Sequence, residues 1–373
     1  MINYISIDGI IMIRTFHSIG QGAFYTEEFD DFRFVYDCGT DTDGKKRIEK
    51  YIKNHFKEKD IINALFISHF HRDHINGLEC LLSTFKVEKV FVPQYDVYEH
   101  ALDFMYTNGN LNSFETKITV NPVEAIKSIS PQTKVILVKK HTYEDDLREI
   151  VINDLNDGDA INSGVALYSC IPDWIFIPIN YDNSDRSSIF KRHLKHHNIE
   201  FNDSAEFITA WSSKSIKKEI KKAFKKLPNT QNENSMVVYS GPNAEEKYTQ
   251  YMRESLTMHF RTFIPFVSSN AGCIYFGDYE VHDKAWKTID HSLSKYYDET
   301  GVIQIPHHGS SDNYRDEINI KNYLYSVISY GTTNTHGHPG SFTTTSIIKN
   351  RGVLLEVTEN PSTRLHFFIE RNF

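Results

Sequence analysis

The segment His69-Phe70-His71-Arg72-Asp73-His74 places three imidazoles and a carboxylate within six residues, directly after the apolar run Ala64-Leu65-Phe66-Ile67. Imidazole nitrogen and carboxylate oxygen together suit Zn²⁺, Mn²⁺ or Fe²⁺. On extended or turning backbone His69 and His71 point the same way, because side chains repeat every two residues. Asp73 and His74 fall on the turn into a following helix, displaced enough to serve a second ion. Burying these groups without a cation leaves several polar atoms in need of partners, at a cost. The hexapeptide therefore reads as a metal site that draws its remaining ligands from elsewhere in the chain.

Three later segments end strand-like runs with residues of the same type. Asp278 follows Cys273-Ile274-Tyr275-Phe276-Gly277. The pair His307-His308 follows Val302-Ile303-Gln304-Ile305-Pro306. His338 lies in a loop with Asn334, His336, Gly337 and Pro339, after Ser326-Val327-Ile328-Ser329-Tyr330. Strand ends on one side of a sheet converge, so these residues can meet the hexapeptide in one cleft. A carboxylate such as Asp278 can bridge two ions, having two oxygens and four lone-pair directions. Two ions roughly 3.5–4 Å apart polarise a substrate and lower the pKa of a bridging water, giving a hydroxide in line with a phosphorus or carbonyl centre.

The elements that must position these residues follow from periodicity and punctuation. Ile11 to Phe16 and Phe32 to Tyr36 read as strands bounded by Gly20-Gln21-Gly22 and Asp37-Cys38-Gly39. Lys45 to Phe56 has helical spacing through Ile48, Ile52 and Phe56. A helix is expected from near Ile75, a strand at Lys89 to Val92, and, later, strands at Ser235 to Tyr239, Gly352 to Val357 and Arg364 to Ile369. Helices are expected over Asp283 to Leu293 and near Lys321. Strand and helix alternate, which points to a layered α/β fold. The whole chain, 1–373, reads as a single domain. Residues 95–233 differ, with polar loops, the acidic Glu144-Asp145-Asp146, the strand-like Trp174-Ile175-Phe176-Ile177 and helices at Ser187 to His197 and Ile216 to Leu227. They read as an elaboration inserted within the domain, of the kind that shapes a substrate site and can dock a protein partner.

The 373 residues suffice for one large α/β domain with insertions or for two domains. A net charge of −8 argues against bulk electrostatic binding to nucleic acid, although bound divalent ions would offset part of it. Cys38, Cys80, Cys170 and Cys273 are scattered without paired spacing, which fits a reducing cytosol. No secretory signal and no run of about 20 apolar residues is present, so a cytoplasmic protein without a membrane span is expected.

The ordered motifs resemble the metallo-β-lactamase fold superfamily, whose signature is matched by His69, His71, Asp73, His74, Asp278 and His338. Gly20-Gln21-Gly22, Asp37-Cys38-Gly39, Asn234-Ser235, Gly277-Asp278, His307 to Ser310 and Asn334 to Pro339 are similar, in order, to the hydrolase domain of competence proteins and the related choline-phosphate esterases. Ala23 and His71 depart from the competence pattern, which often has Asp at both places, and a third ligand histidine between the hexapeptide and Gly-Asp is absent. The resemblance implies a four-layer αβ/βα sandwich with a large mixed insertion. It also implies a di-metal hydrolase, with zinc the first expectation and manganese the second. The implied ligand sets are His69, His71, Asp278 and one of His307 and His308 for the first ion, and Asp73, His74, Asp278 and His338 for the second. His308 is the member of the pair carried forward as a ligand. Asp73, His307 and His308 are the implied catalytic residues, with the nonligand histidine of the pair contacting the leaving group or nonbridging oxygens. His336 is read as a pocket residue.

The expected activity is hydrolysis of a phosphodiester in a nucleotide or nucleic acid. Hydrolysis of an acyl or lactam bond, and a non-catalytic metal-binding partner protein of a larger complex, remain as alternatives, because fold does not fix function. Lys217 to Lys226 carries an apolar stripe through Ile216, Ile220, Phe224 and Leu227, so most of its lysines are expected to face water. A phosphate-contacting surface is the other reading of that stretch.

Overall fold

The computed structural model describes residues 10–371, apart from 108, 145–147, 183, 228–234, 244–247, 255–266 and 269. The chain opens with β1 (Ile10–Phe16), β2 (Tyr25–Phe29) and β3 (Arg33–Tyr36), then α1 (Lys45–His55) and β4 (Ile61–Phe66). The single turn α2 (Arg72–Ile75) and α3 (Leu78–Thr84) lead into β5 (Lys86–Pro93). Next come α4 (Val97–Phe104), α5 (Phe114–Val120), α6 (Pro122–Ile129) and β6 (Lys134–Val138). The short strands β7 (Ile150–Val151), β8 (Ala160–Ile161) and β9 (Leu167–Tyr168) precede β10 (Trp174–Ile179). Helices α7 (Ser184–Lys195), α8 (Ser204–Ser212) and α9 (Lys214–Lys225) are followed by β11 (Val237–Pro242), β12 (Tyr248–Glu254), β13 (Val267–Ser268) and β14 (Gly272–Tyr275). The last part holds α10 (Asp283–Leu293), β15 (Thr300–Gln304), β16 (Tyr325–Ser329), α11 (Ser341–Lys349), β17 (Val353–Val357) and β18 (Leu365–Arg371).

Two mixed sheets result, ordered β13-β12-β18-β1-β2-β3-β4-β5-β6-β8 and β17-β16-β15-β14-β11-β10-β9-β7. The strands from β3 to β6 run parallel, as do those from β14 to β17, while the hairpin β1–β2 is antiparallel. The inner faces share one apolar core, where Phe34 of β3 lies 5.2 Å from Phe176 of β10 and 5.5 Å from Tyr275 of β14. Such ring pairs add about 0.5–1.5 kcal/mol beyond burial. The outer face of the first sheet is covered through Ile48, Ile52, Leu81 and Ile126, and that of the second through Ala285, Ile289 and Ile347. This is the four-layer α/β arrangement expected from the sequence. Among the described residues no helix is long and apolar enough to cross a membrane.

Residues 95–233 contribute to more than one part. β6 joins the first sheet beside β5, β10 joins the second beside β11, and α6 packs on the outer core. α4, α7, α8 and α9 close over a separate apolar cluster containing Phe104, Phe190, Phe207, Trp211 and Ile220. The region read as polar loops thus contains three short helices, α4 to α6. Their N-caps Asp96, Ser113 and Asn121 are turn-forming residues whose side chains accept from the first-turn amides. The helix expected near Lys321 does not form. A single 3₁₀ turn, Asp316–Ile318, stands there, and left-handed Tyr323 (φ 59°) leads into β16. Asn234 and the pair Asp145-Asp146 lie outside the described residues.

Arg14 of β1 and Glu27 of β2 form a fully buried ion pair, Nε to Oε1 2.7 Å, with both side chains at 0% exposure. Glu27 also accepts from Ser240 and Tyr275 of the opposite sheet, and Arg14 donates to the Ala271 carbonyl at 2.8 Å. Removing one partner strands the other charge, at about 3–5 kcal/mol. Arg14→Met is expected to lose roughly that stability in urea denaturation; an unchanged midpoint would show that the pair is not a pinning contact between the sheets.

Candidate metal centre

The carboxyl ends of β3 and β4 in one sheet, and of β14, β15 and β16 in the other, feed the same edge. β3 and β4 are parallel, so Asp37 and Ser68 emerge side by side: the Ser68 amide donates to Asp37 Oδ1 at 2.7 Å and its hydroxyl to Oδ2 at 2.6 Å. The turn α2 is gripped from below, with Ala23 N donating to the Asp73 carbonyl and Cys38 N to the His74 carbonyl, at 3.1 and 2.8 Å. A Cβ on Gly39 would lie 2.6 Å from the Asp73 carbonyl carbon, and one on Gly22 would lie 2.7 Å from its oxygen. The early glycine motifs thus allow the backbone to close on the hexapeptide.

Asp278 is held from its own turn. Ser235 Oγ accepts from its amide at 3.0 Å, and Gln304 Oε1 accepts from the amides of Phe276 and Gly277 at 2.8 and 2.7 Å. His307 and His308 both occupy the left-handed region (φ 47° and 54°), which costs on the order of 1–3 kcal/mol at a non-glycine residue and recurs at functional sites.

Asp73, His74, Asp278 and His308 each offer a ligand atom, and these atoms lie within 4.8 Å of one another. His74 Nε2 is 3.1 Å from Asp278 Oδ1, and His308 Nε2 is 3.1 Å from Asp73 Oδ2. The other Asp278 oxygen, Oδ2, lies 3.8 Å from His69 Nε2 and 3.7 Å from His307 Nε2. The His71 ring stands 4.6 Å from that of His69. The sequence places His338 with Asp73 and His74; in the structure His308 lies within the Asp73–His74–Asp278 group and His338 stands beside it. The His308 backbone turns its ring inward, whereas the His338 ring lies a stacking distance beyond, 6.0 Å from His308 and 5.3 Å from His307.

Each inner imidazole is tied by its second nitrogen. His74 Nδ1 donates to Asp37 Oδ2 at 2.7 Å, His307 Nδ1 to Asn313 Oδ1 at 2.7 Å, and His308 Nδ1 to the Ser329 carbonyl at 2.9 Å. His69 Nδ1 meets Ser68 Oγ at 3.0 Å. These contacts assign the tautomers and aim each Nε2 lone pair inward, the arrangement that orients metal-ligating histidines. Asp37, Ser68 and Asn313 were not singled out from sequence as site residues. The Asp37-Cys38-Gly39 motif marked the first without revealing its role, and nothing local marked Asn313.

The electrostatics suit a cation. Burial lowers His74, but Asp278, Asp73 and Asp37 outweigh it and hold the imidazole well above its ordinary value. Burial likewise lowers His308, and Asp278 with the Asp73 hydrogen bond raises it overall. Burial raises both Asp278 and Asp73, yet the surrounding imidazoles carry both carboxyls well below the usual range. His69 and His71 are lowered by burial first, His71 to about 4. Buried His69 Nε2 has no hydrogen-bond partner among the described residues. Buried nitrogen donors around an ionised carboxylate fit a divalent ion of borderline softness.

A cavity of about 910 Å³ opens above Asp73, Asp278, His307, His308 and His338. Its far wall is the helical cluster, through Tyr106, Arg186, Phe224 and Lys225. His336 also lines it, as expected, and of the lysine stretch only Lys225 reaches it.

The family described as anti-Pycsar protein Apyc1 matches residues 22–138, a span that contains the hexapeptide but less than half of the chain. No curated protein matches the chain. Solved structures similar to it include the short form of human tRNase Z, at TM-score 0.38 and 13% identity over 93% of this chain and 92% of that one. The metallo-β-lactamase fold protein YhfI from Bacillus subtilis gives 0.36 and 7% over 97% and 100%. The metallo-β-lactamase MIM-1 from Novosphingobium pentaromativorans gives 0.31 and 8% over 94% of each chain. These neighbours are metallo-β-lactamase fold proteins.

Because His74 is held well above an ordinary histidine and His308 is raised, an incoming cation competes with protons for their Nε2 atoms. Asp73 and Asp278, held low, are already ionised and add no competition. Zinc binding is therefore expected to release protons at pH 7 and to tighten as pH rises from 6 to 8. Calorimetry in two buffers of different ionisation enthalpy checks this; binding without proton release would contradict it.

Proposed function

We propose that the protein is a two-metal hydrolase that cleaves a phosphodiester in a nucleotide or nucleic acid. The observation that carries the reading is the division of Asp278: Oδ1 faces His74 at 3.1 Å while Oδ2 faces His69 at 3.8 Å. One carboxylate thus addresses two donor sets. Asp73, His74, His308 and Asp278 would hold one ion; His69, His71 and Asp278 would hold the other. Bound there, divalent ions supply Lewis acidity and an activated water at neutral pH.

The remaining work belongs to the chain. Asp37, Ser68 and the Ser329 carbonyl keep the ligand imidazoles in register. His307, its ring set by Asn313, presents the Nε2 lone pair to the cavity, where it accepts a hydrogen bond from the attacking water or a substrate hydroxyl. His338 beside it, brought down to about 4 by burial and by its histidine neighbours His308 and His307, is neutral at pH 7 and adds a second hydrogen bond to the substrate. Arg186 and Lys225 on the helical wall favour an anionic substrate over a neutral acyl or lactam group. Asp41, Glu280 and Asp312 elsewhere on the wall accept from sugar hydroxyls or base amino groups.

Bis-p-nitrophenyl phosphate tests the reading, with zinc- and manganese-reconstituted protein compared. Turnover is expected only with metal. Asp278→Ala should abolish it and lose metal, whereas His307→Ala should keep both ions and lose about 10²–10³-fold in kcat, the scale of a lost transition-state contact. Metal-independent turnover, or full metal occupancy in Asp278→Ala, would overturn it.

A further inference from the structure

Of the two imidazoles aligned by the His-x-His spacing, His69 is oriented from the sandwich through Ser68, whereas His71 faces the helical cluster. Its Nε2 faces Asp103 of α4, with Nε2 to Oδ1 at 4.0 Å and side-chain exposures of 14% and 19%. The Tyr106 ring lies 4.9 Å from the His71 ring, on the same helical side.

Asp103 is built into this position. A backbone hydrogen bond from Phe70, inside the hexapeptide, reaches its carboxylate. Its Oδ2 is buried with no hydrogen-bond partner among the described residues. Next to it, Arg186 of α7 donates to Tyr106 Oη at 2.6 Å and lies over the Tyr106 and Phe224 rings, at 5.8 Å from each centroid. The Arg186 charge also acts on Asp103. A carboxylate of α4 and the aromatic ring just beyond its end therefore face one ligand histidine, backed by a guanidinium from α7.

We infer that Asp103 is a positioning residue for His71, accepting its Nε2–H so that Nδ1 is presented to the ion held with His69 and Asp278. The helical cluster then completes the metal centre as well as walling the cavity. Asp37 serves His74 in the same way, but from within the sheet. The 4.0 Å separation exceeds a hydrogen bond, and a small rotation of either side chain closes the remaining ~1 Å. Carboxylates that orient ligand histidines typically carry 10–100-fold in metal affinity.

This inference rests on the two-metal reading above, and the experiment separates the two. Zinc and cobalt affinities are measured by chelator competition, with the cobalt visible spectrum as a second readout, for the full chain and for Asp103→Ala, His71→Ala and the double variant. Asp103→Ala is expected to weaken one of the two ions about 10–100-fold and to change the cobalt spectrum, with Asp103→Asn recovering part of the loss. In the His71→Ala background the Asp103 substitution should add less than about twofold, because its effect passes through His71. A role confined to folding would instead persist in that background. If Asp103→Ala does not fold, Asp103→Asn carries the same cycle. Two ions bound with unchanged affinity in the Asp103 variants, or additive losses in the double variant, overturn the inference alone. An unsubstituted protein that binds no ion overturns the two-metal reading and this inference with it.

Discussion

A carboxylate buried among imidazoles, Asp278, is the feature on which the rest of the molecule depends. An isolated charge at 2% exposure is costly. Here the cost is met by convergence, since His69, His74, His307 and His308 all place Nε2 within 4 Å of its two oxygens. Three segments far apart in sequence must therefore arrive at one edge with little freedom. The parallel strands β3–β4 and β14–β16 deliver them there, because parallel neighbours end on the same side of their sheet.

Strand ends alone would leave the side chains loosely aimed. Tight backbone approach removes that freedom on one side, where Gly22 and Gly39 let the first loops press on the Asp73 turn. On the other, left-handed His307 and His308 turn two consecutive rings into the centre. Hydrogen bonds accepted by Asp37, Ser68, Asn313 and the Ser329 carbonyl set the tautomers. The sandwich beneath is pinned by stacked aromatic rings and by the buried Arg14–Glu27 pair, so the edge carrying the centre is a rigid one. The helical cluster of α4, α7, α8 and α9 has its own apolar core and reaches the centre through Asp103, Tyr106 and Arg186.

Much of this was legible in the chain. The hexapeptide, Gly277-Asp278 and His307-His308 announced themselves because metal-ligating residue types are dense there and each follows a β-branched or aromatic run. The strands were readable for the same reason, and α10 matched its expected span from Asp283 to Leu293. What could be read was local: residue type, period and punctuation act within a few neighbours. Tertiary structure decided the rest. The helices α4 to α6 were hidden because their caps, Asp96, Ser113 and Asn121, are residues that equally make loops. The choice of His308 over His338 beside Asp73 depends on a left-handed turn that no spacing rule encodes. The partnerships of Asp37 with His74 and Asn313 with His307, and the approach of Asp103 to His71, join elements through space, and such geometry is settled only once the sheets and helices have packed.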